Sequence, residues 1–182
     1  MASTNKTSML NLNQWLATDK PVMADFNADN LNISNYLLNL RNSRARAFLS
    51  ASNQLDLVSG TITKVVLDGE TYDPGNNFDT TSTYRFVAPI TGYYFVNGQV
   101  MFTSIVASKL YAGSIYINGV AAADVYSHSS LTSSLSCNPS GIYYLTSGQY
   151  VELYATSYSG DNTVDIIKGS RYTFLEVALL ST

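Results

Sequence analysis

A chain of 182 residues with 14 tyrosines, one cysteine and only 13% charged residues has room for one domain plus an appendage, and is long enough to bury a core without covalent staples. The lone Cys137 excludes an intrachain disulfide, and a formal net charge of −3 with no basic stripe removes the electrostatic footing for nucleic-acid binding. No apolar run approaches the ~18 residues a membrane-spanning helix needs, so no membrane insertion is expected; the polar opening Met-Ala-Ser-Thr-Asn-Lys-Thr-Ser lacks an apolar h-region, so no secretory signal is expected.

Residues 1–30 read as a polar arm carrying isolated apolar anchors, chiefly Trp15, Leu16 and Phe26. Such anchors cannot build a core alone and need a partner surface, either this chain's own domain or another protein. Over 31–46 the period changes. Ile33, Leu37, Leu40, Arg44 and Ala47 recur at steps of four and three, the seam of one short helix with Asn32 or Ser34 as its cap. That helix either joins a trimeric coiled coil or lies on its own β-domain. From 47 to 182 the chain reads as short strands separated by turns. Thr61–Leu67 stops at Asp68-Gly69, and Asp73–Asn77 is a loop. Leu110–Ile117 ends at Asn118-Gly119, a type I′ hairpin signal. Thr132–Cys137, Ile142–Leu145, Gln149–Thr156, Val164–Ile167 and Tyr172–Leu180 follow. Such a series with no helix between its members fits a double-sheet jelly roll.

The most telling stretch is Tyr84–Phe102: a short strand, a Pro89…Gly92 turn and a longer strand. After Gly92 one alternate set, Tyr94, Val96, Gly98, Val100 and Phe102, suits a core face. The other, Tyr93, Phe95, Asn97, Gln99 and Met101, mixes aromatics with amides. Phe86-x-x-Pro89-x-x-Gly92-x-Tyr94 resembles the signature of the C1q/TNF-like domain. Arg46–Ala51 resembles that family's first strand, Tyr144–Leu153 its "L-x-x-G-D-x-V-x-L" segment, and Tyr172–Leu180 its closing strand. Gln149 stands where the family usually has Asp, and the usual Phe-x-Gly near the end is absent. The resemblance covers residues 46 to 182 and implies an all-β, C1q/TNF-like jelly-roll sandwich preceded by an extended N-terminal arm and one short helix. It also implies a homotrimer. Tyr93 and Phe95 of one strand, with Tyr150 and Tyr154 of another, are off-core aromatics. The resemblance puts both strands in the sheet that faces the trimer axis, where large exposed rings belong.

The segment Leu12–Asn27, with Thr18-Asp19 and Asp25-Phe26-Asn27, resembles a stretch near the start of tail and fibre proteins from phages of Gram-positive hosts. This resemblance implies a virion component, a tail tip or head fibre, docked to another virion structural protein through Trp15, Leu16 and Phe26. The trimer would then face a host-surface glycan or envelope polymer. The turn-rich connections Asp73–Asn77, Ser127–Ser136 and Ser157–Asn162 are the candidate ligand loops, with Tyr126, Tyr158 and Asn162 as contacts. A purely structural decoration and a bacterial spore or cell-surface C1q-like protein are the alternative readings.

No catalytic motif surrounds His128 or Cys137, and the sparse acids sit mostly at turns, where they cap locally. No enzyme, cofactor or metal is therefore expected. Asp161 with Asp165, and Asp68 with Glu70 and Asp73, are the acids from which a calcium site would have to be built.

Overall fold

Val22 opens the helix. Its amide donates to the Asp25 carboxylate at 2.9 Å, and the Asp25 amide donates to the Val22 carbonyl at 3.0 Å. Asp25 thus supplies the carboxylate half of a capping box, and α1 runs Met23–Asn42. The sequence reading of 31–46 is corrected at both ends. The start moves forward because Asp25, not Asn32 or Ser34, caps it; Asn32 instead donates to the Asn11 carbonyl at 3.4 Å. The end retreats because Arg44–Phe48 becomes a strand, with Ala45 and Ala47 fully buried and pairing with the last strand of the chain. The longer helix extends its seam to Met23, Phe26, Asn30, Ile33, Leu37 and Leu40, at steps of three and four over nearly three heptads. Met23, Phe26, Ile33 and Leu37 on it are exposed.

The computed structural model describes residues 3, 5–128 and 130–182. Met1, Ala2 and Thr4 of the arm, and Ser129 of the connection read as a ligand loop, lie outside the described residues. The chain divides into two units, Met1–Arg41 and Asn42–Thr182. In the first, the arm carries local structure of its own. Lys6 bridges Asn13, the Gln14 amide donates to the Asn5 carbonyl at 2.9 Å, and Asn13 donates from both its amides to Asp29 on α1. Trp15 rests on Phe26, ring centroids 5.7 Å apart.

In the second unit the described residues form two antiparallel sheets. The first runs β10 (Ser140–Leu145), β6 (Gly92–Thr103), β13 (Phe174–Ser181), β1 (Arg44–Phe48) and β3 (Gly69–Tyr72), with β9 (Ser134–Cys137) and β12 (Asp165–Ile166) also paired to β6. The second runs β4 (Phe78–Asp79), β5 (Arg85–Val87), β11 (Tyr150–Ser157), β7 (Leu110–Ile117) and β8 (Val120–His128), with β2 (Thr63–Lys64) paired to β11. The β7–β8 hairpin turns at Asn118 and Gly119, both with positive φ, as a type I′ turn requires. Between the sheets lie Phe86, Tyr94, Val96, Phe102, Tyr111, Ile115, Leu153 and Val177, all fully buried. The architecture is an all-β jelly-roll sandwich.

The passage from β5 to β6 carries the chain from the second sheet to the first. Pro89 and Gly92 bound that corner. The Tyr94 phenol reaches back across it to donate to the Ile90 carbonyl at 2.7 Å, while its ring meets Phe86 with centroids 5.9 Å apart. A Cβ on Gly92 would stand 2.3 Å from the Ser181 carbonyl oxygen and 2.7 Å from Leu179 Cδ1, so only glycine lets β13 close against the start of β6. Gly92→Ala is expected to cost roughly 2 kcal/mol through overpacking. The readout is a lower urea midpoint at unchanged slope.

Candidate functional site: two aromatic faces

The outer face of the first sheet has two halves. At its β10–β6 edge Ile142 pairs with Phe95 and Tyr144 with Tyr93. These four side chains are 61%, 38%, 57% and 50% exposed, and the Tyr93 and Tyr144 rings meet edge-on with centroids 5.1 Å apart. β10 contributes no charged residue to this edge. Toward β1 and β3 the same face turns polar. Arg46 Nη1 donates to Glu176 at 2.9 Å and Nη2 donates to the Ser170 carbonyl at 2.9 Å. The Arg46 guanidinium also lies 3.8 Å from the Phe174 ring centroid. The Tyr72 phenol donates to the second Glu176 oxygen at 2.5 Å. Burial first, then the Glu176 hydrogen bond and charge, pushes the Tyr72 phenol up to about 12.

The outer face of the second sheet is built differently. Glu152, 4% exposed, faces outward on β11 yet is covered. Lys64 Nζ reaches it at 2.5 Å, and the Tyr154 phenol donates to its other oxygen at 3.2 Å. Tyr154 stacks on Tyr116 with centroids 4.4 Å apart, and the Arg85 guanidinium stands 4.3 Å from the centre of the Tyr150 ring. Burial, then the charge of Glu152, pushes the Tyr154 phenol up to about 12.

The sequence reading grouped Tyr93, Phe95, Tyr150 and Tyr154 on one sheet. The structure separates them: β6 belongs to the first sheet and β11 to the second. The reason is the Pro89–Gly92 corner, which moves the chain across the sandwich before Tyr93. Tyr150 and Tyr154 are half-buried under their own chain's Arg85, Tyr116 and Lys64. The partners of Tyr93 and Phe95 are instead Tyr144 and Ile142. Alternation along β10 puts those two on the off-core side, but their register with β6 is not written in the local sequence.

The candidate ligand residues also move. Tyr126 is not in a loop; it lies inside β8, opposite Ala112 of β7. Tyr158 follows β11 directly, its amide donating to the Leu110 carbonyl at 2.9 Å. Both rings are exposed, at 54% and 42%. Asn162 is committed elsewhere, its side-chain oxygen accepting the Ser59 amide at 3.0 Å. The Asp73–Asn77 loop holds its own backbone, with Asp73 accepting the Phe78 amide at 2.7 Å and Asn77 donating to the Asn42 carbonyl at 2.5 Å. Beside it lies an open groove of about 560 Å³ lined by Glu70, Asn76, Asp79 and Val87. Burial, then the Asp73 charge, raises the Glu70 carboxyl.

Of the anchor residues, Leu16 and Phe26 are exposed and Trp15 is half-buried. His128 ends β8 opposite Leu110, exposed. Cys137 is fully buried, and burial raises its thiol. Among the acids considered for calcium, Asp68 accepts the Ser50 amide at 2.6 Å, Asp165 the Asp56 amide at 3.0 Å, and Asp161 the Thr163 hydroxyl at 3.1 Å. Each of these carboxylates thus accepts a hydrogen bond from the chain itself, across the fold at Asp68 and Asp165 and locally at Asp161.

No family model matches the chain, and no curated protein matches it. Solved structures do. The globular domain of zebrafish complement 1qA superposes with a TM-score of 0.53 at 11% identity, covering 76% of this chain and 97% of that one. The Eiger TNF of S. frugiperda superposes with a TM-score of 0.57, again at 11% identity, covering 76% of this chain and 92% of that one. The fold is therefore a C1q/TNF-like jelly roll.

The Tyr72 and Tyr154 phenols hold their protons more tightly in the folded chain than in the unfolded one. Their contribution to stability is whole below pH 10 and is lost as pH rises through about 12. Ultraviolet titration of tyrosinate is expected to show Tyr72 and Tyr154 ionising near 12. Glu152→Gln should bring one of the two down and leave the other in place.

Proposed function

We propose that this chain is a phage virion appendage, a tail tip or head fibre, that displays a homotrimeric C1q-like domain for adhesion to a host-surface glycan. The observation that carries the trimer is the uncharged patch Tyr93, Phe95, Ile142 and Tyr144 on the first sheet. Rings this exposed and this close are the composition of an interface core. Each one covered by association removes apolar area that contributes on the order of 2 kcal/mol. Flanking it, Arg46, Glu176 and Tyr72 already satisfy one another, so the polar half of the face sets orientation and the apolar half supplies affinity. The α1 seam from Ile33 to Leu40 supports the same threefold association, since three such helices cover one another's apolar stripes there and leave Phe26 to the arm.

The attachment reading rests on the likeness of residues 12–27 to tail and fibre proteins. Exposed Leu16 and Phe26, with Trp15 beside them, give that segment an apolar surface for a second virion protein. In this reading the protein is located on the virion, takes no cofactor and catalyses no reaction.

Tyr93→Ser with Tyr144→Ser is expected to yield a folded monomer where the wild type is a trimer, read by light scattering at micromolar concentration. A wild-type monomer under those conditions refutes the trimer. Trp15→Ala with Leu16→Ser and Phe26→Ser is expected to leave the trimer intact and to abolish its incorporation into particles. Normal incorporation of that variant refutes the anchor.

A further inference from the structure

The open groove of about 560 Å³ lies at the opposite end of the first sheet from the apolar β10–β6 edge. β3 is that far edge of the first sheet, and β4 is an edge of the second. The Asp73–Asn77 connection joins the two. Glu70 of β3, Asn76 of the connection, Asp79 of β4, Thr80 after it, and Val87 and Pro89 line the groove. Its rim is fixed by the chain itself. Asp73 accepts the Phe78 amide at 2.7 Å, Asn77 donates to the Asn42 carbonyl at 2.5 Å, and a Cβ on Gly75 would collide with that same carbonyl. Asp79 is saturated, its two oxygens accepting six hydrogen bonds from Thr81, Ser82 and Thr83. The side chains of Glu70, Asn76 and Thr80 are uncommitted, with no hydrogen bond or ion pair among the described residues. One oxygen of Asp73 is buried with no hydrogen-bond partner among the described residues. Burial, and then the charge of Asp73 nearby, raise the Glu70 carboxyl.

From these observations we propose that the groove binds an amino sugar, with its ammonium on the Glu70 carboxylate and its hydroxyls on Asn76 and Thr80. The proposal rests on the adhesion reading above and names its site and ligand class. The volume suits a small ligand or one segment of a polymer. The charges at the groove are of one sign. Glu70 and Asp79 line it, Asp73 stands near Glu70, and no cation is among the lining residues. Cations on adjoining strands are directed elsewhere. Lys64 binds Glu152 and the Thr83 carbonyl, and Arg85 lies against the Tyr150 ring. Arg46 binds Glu176, and Arg44 lies 5.9 Å from the centre of the Tyr72 ring. An anionic polymer is therefore repelled and a cationic one drawn in. An ammonium brings N–H donors to a carboxylate that has none, a charge-assisted pairing, and it offsets the repulsion between Glu70 and Asp73. A metal ion fits less well, because it needs six or more converging oxygens. No three His, Cys, Asp or Glu side chains among the described residues gather to hold one, and the oxygens of Asp79 already face N–H and O–H donors. Val87 and Pro89 offer apolar surface to the C–H face of the sugar ring. A single exposed pairing of this kind is weak, and three copies about one axis raise avidity without any new contact.

The test passes the full-length chain over two immobilised oligosaccharides that differ only at nitrogen: a glucosamine oligomer in mildly acidic buffer, where its amines are protonated, and its fully N-acetylated counterpart. The chain is expected to bind the first and not the second, and binding should weaken as salt rises. Glu70→Gln should weaken it about fivefold. Asn76→Gly with Thr80→Val should weaken it about threefold, the glycine preserving the left-handed backbone at position 76. Asp124→Asn, at an exposed carboxylate that does not line the groove, should leave it unchanged. Equal binding of the acetylated oligomer, unchanged binding in Glu70→Gln, or an equal loss in Asp124→Asn overturns this site and leaves the adhesion reading standing. Binding that requires added calcium overturns the ammonium ligand in favour of a metal. A chain that binds neither oligomer but holds Gram-positive cell-wall fragments overturns the amino-sugar class alone. A chain that binds none of the three overturns the adhesion reading with it.

Discussion

The contact on which the rest of this fold depends is the close approach of β13 to the Pro89–Gly92 corner. The Ser181 carbonyl lies where a side chain at position 92 would begin, and the Tyr94 phenol ties the corner's inner edge to the Ile90 carbonyl. The corner does more than turn the chain. It transfers the backbone from the second sheet to the first, so the outward residues of β6 emerge on the opposite side of the sandwich from those of β5. Phe86 and Tyr94 meet in the core because they stand on either side of that transfer. The spacing Phe-x-x-Pro-x-x-Gly-x-Tyr is thus a description of one piece of packing: a core ring, a fixed φ, a position without a Cβ, and a second core ring with a hydroxyl long enough to satisfy the turn.

Once the corner is fixed, two outer faces with different chemistry follow. On the first sheet Arg46 of β1 and Glu176 of β13 bond to each other and, through Glu176, to Tyr72 of β3, apart from the apolar β10–β6 edge. On the second sheet Glu152 is buried, with Lys64 and Tyr154 closing over it. A buried carboxylate without its cation would be costly, so Lys64 fixes Tyr154, and Tyr154 in turn positions Tyr116. The first face is apolar where it is exposed, at Tyr93, Phe95, Ile142 and Tyr144, and the second is amphipathic, at Tyr126 and Tyr158.

What the sequence makes legible follows from the range of the interactions. The core alternation of β6 and the hairpin at Asn118-Gly119 are local, and both are readable. In the motif at 86–94 the Phe86–Tyr94 contact and the Tyr94–Ile90 bond are local and readable, while the approach of Ser181 to Gly92 is not. Sheet membership is not local. Tyr93 and Tyr150 share a pattern of alternation, and only the long-range pairings with β10 and with β7 place them on opposite sides of the sandwich. The helix start was legible in principle. Asp25 lies three residues after Val22, the spacing of a capping-box carboxylate, but the apolar period begins so faintly there that Ile33 drew the boundary too late. Ala45 and Ala47 fit a helical seam and a strand equally well; pairing with Val177 and Leu175 decides it.

Tyr126 shows how a polar sequence conceals a strand. The run Val-Tyr-Ser-His-Ser-Ser has serine on the inner side, where a core strand would carry valine, and so it reads as a loop. In the structure Ser127 faces Tyr111 across the ladder, while the outward Tyr126 and Asp124 face small residues of β7. Ala112 and Ser114 are almost fully buried although they lie on an outer face. The register that sets Tyr126 opposite Ala112 comes from the type I′ turn at Asn118-Gly119 together with the shift between Ile115 and Tyr116 on β7.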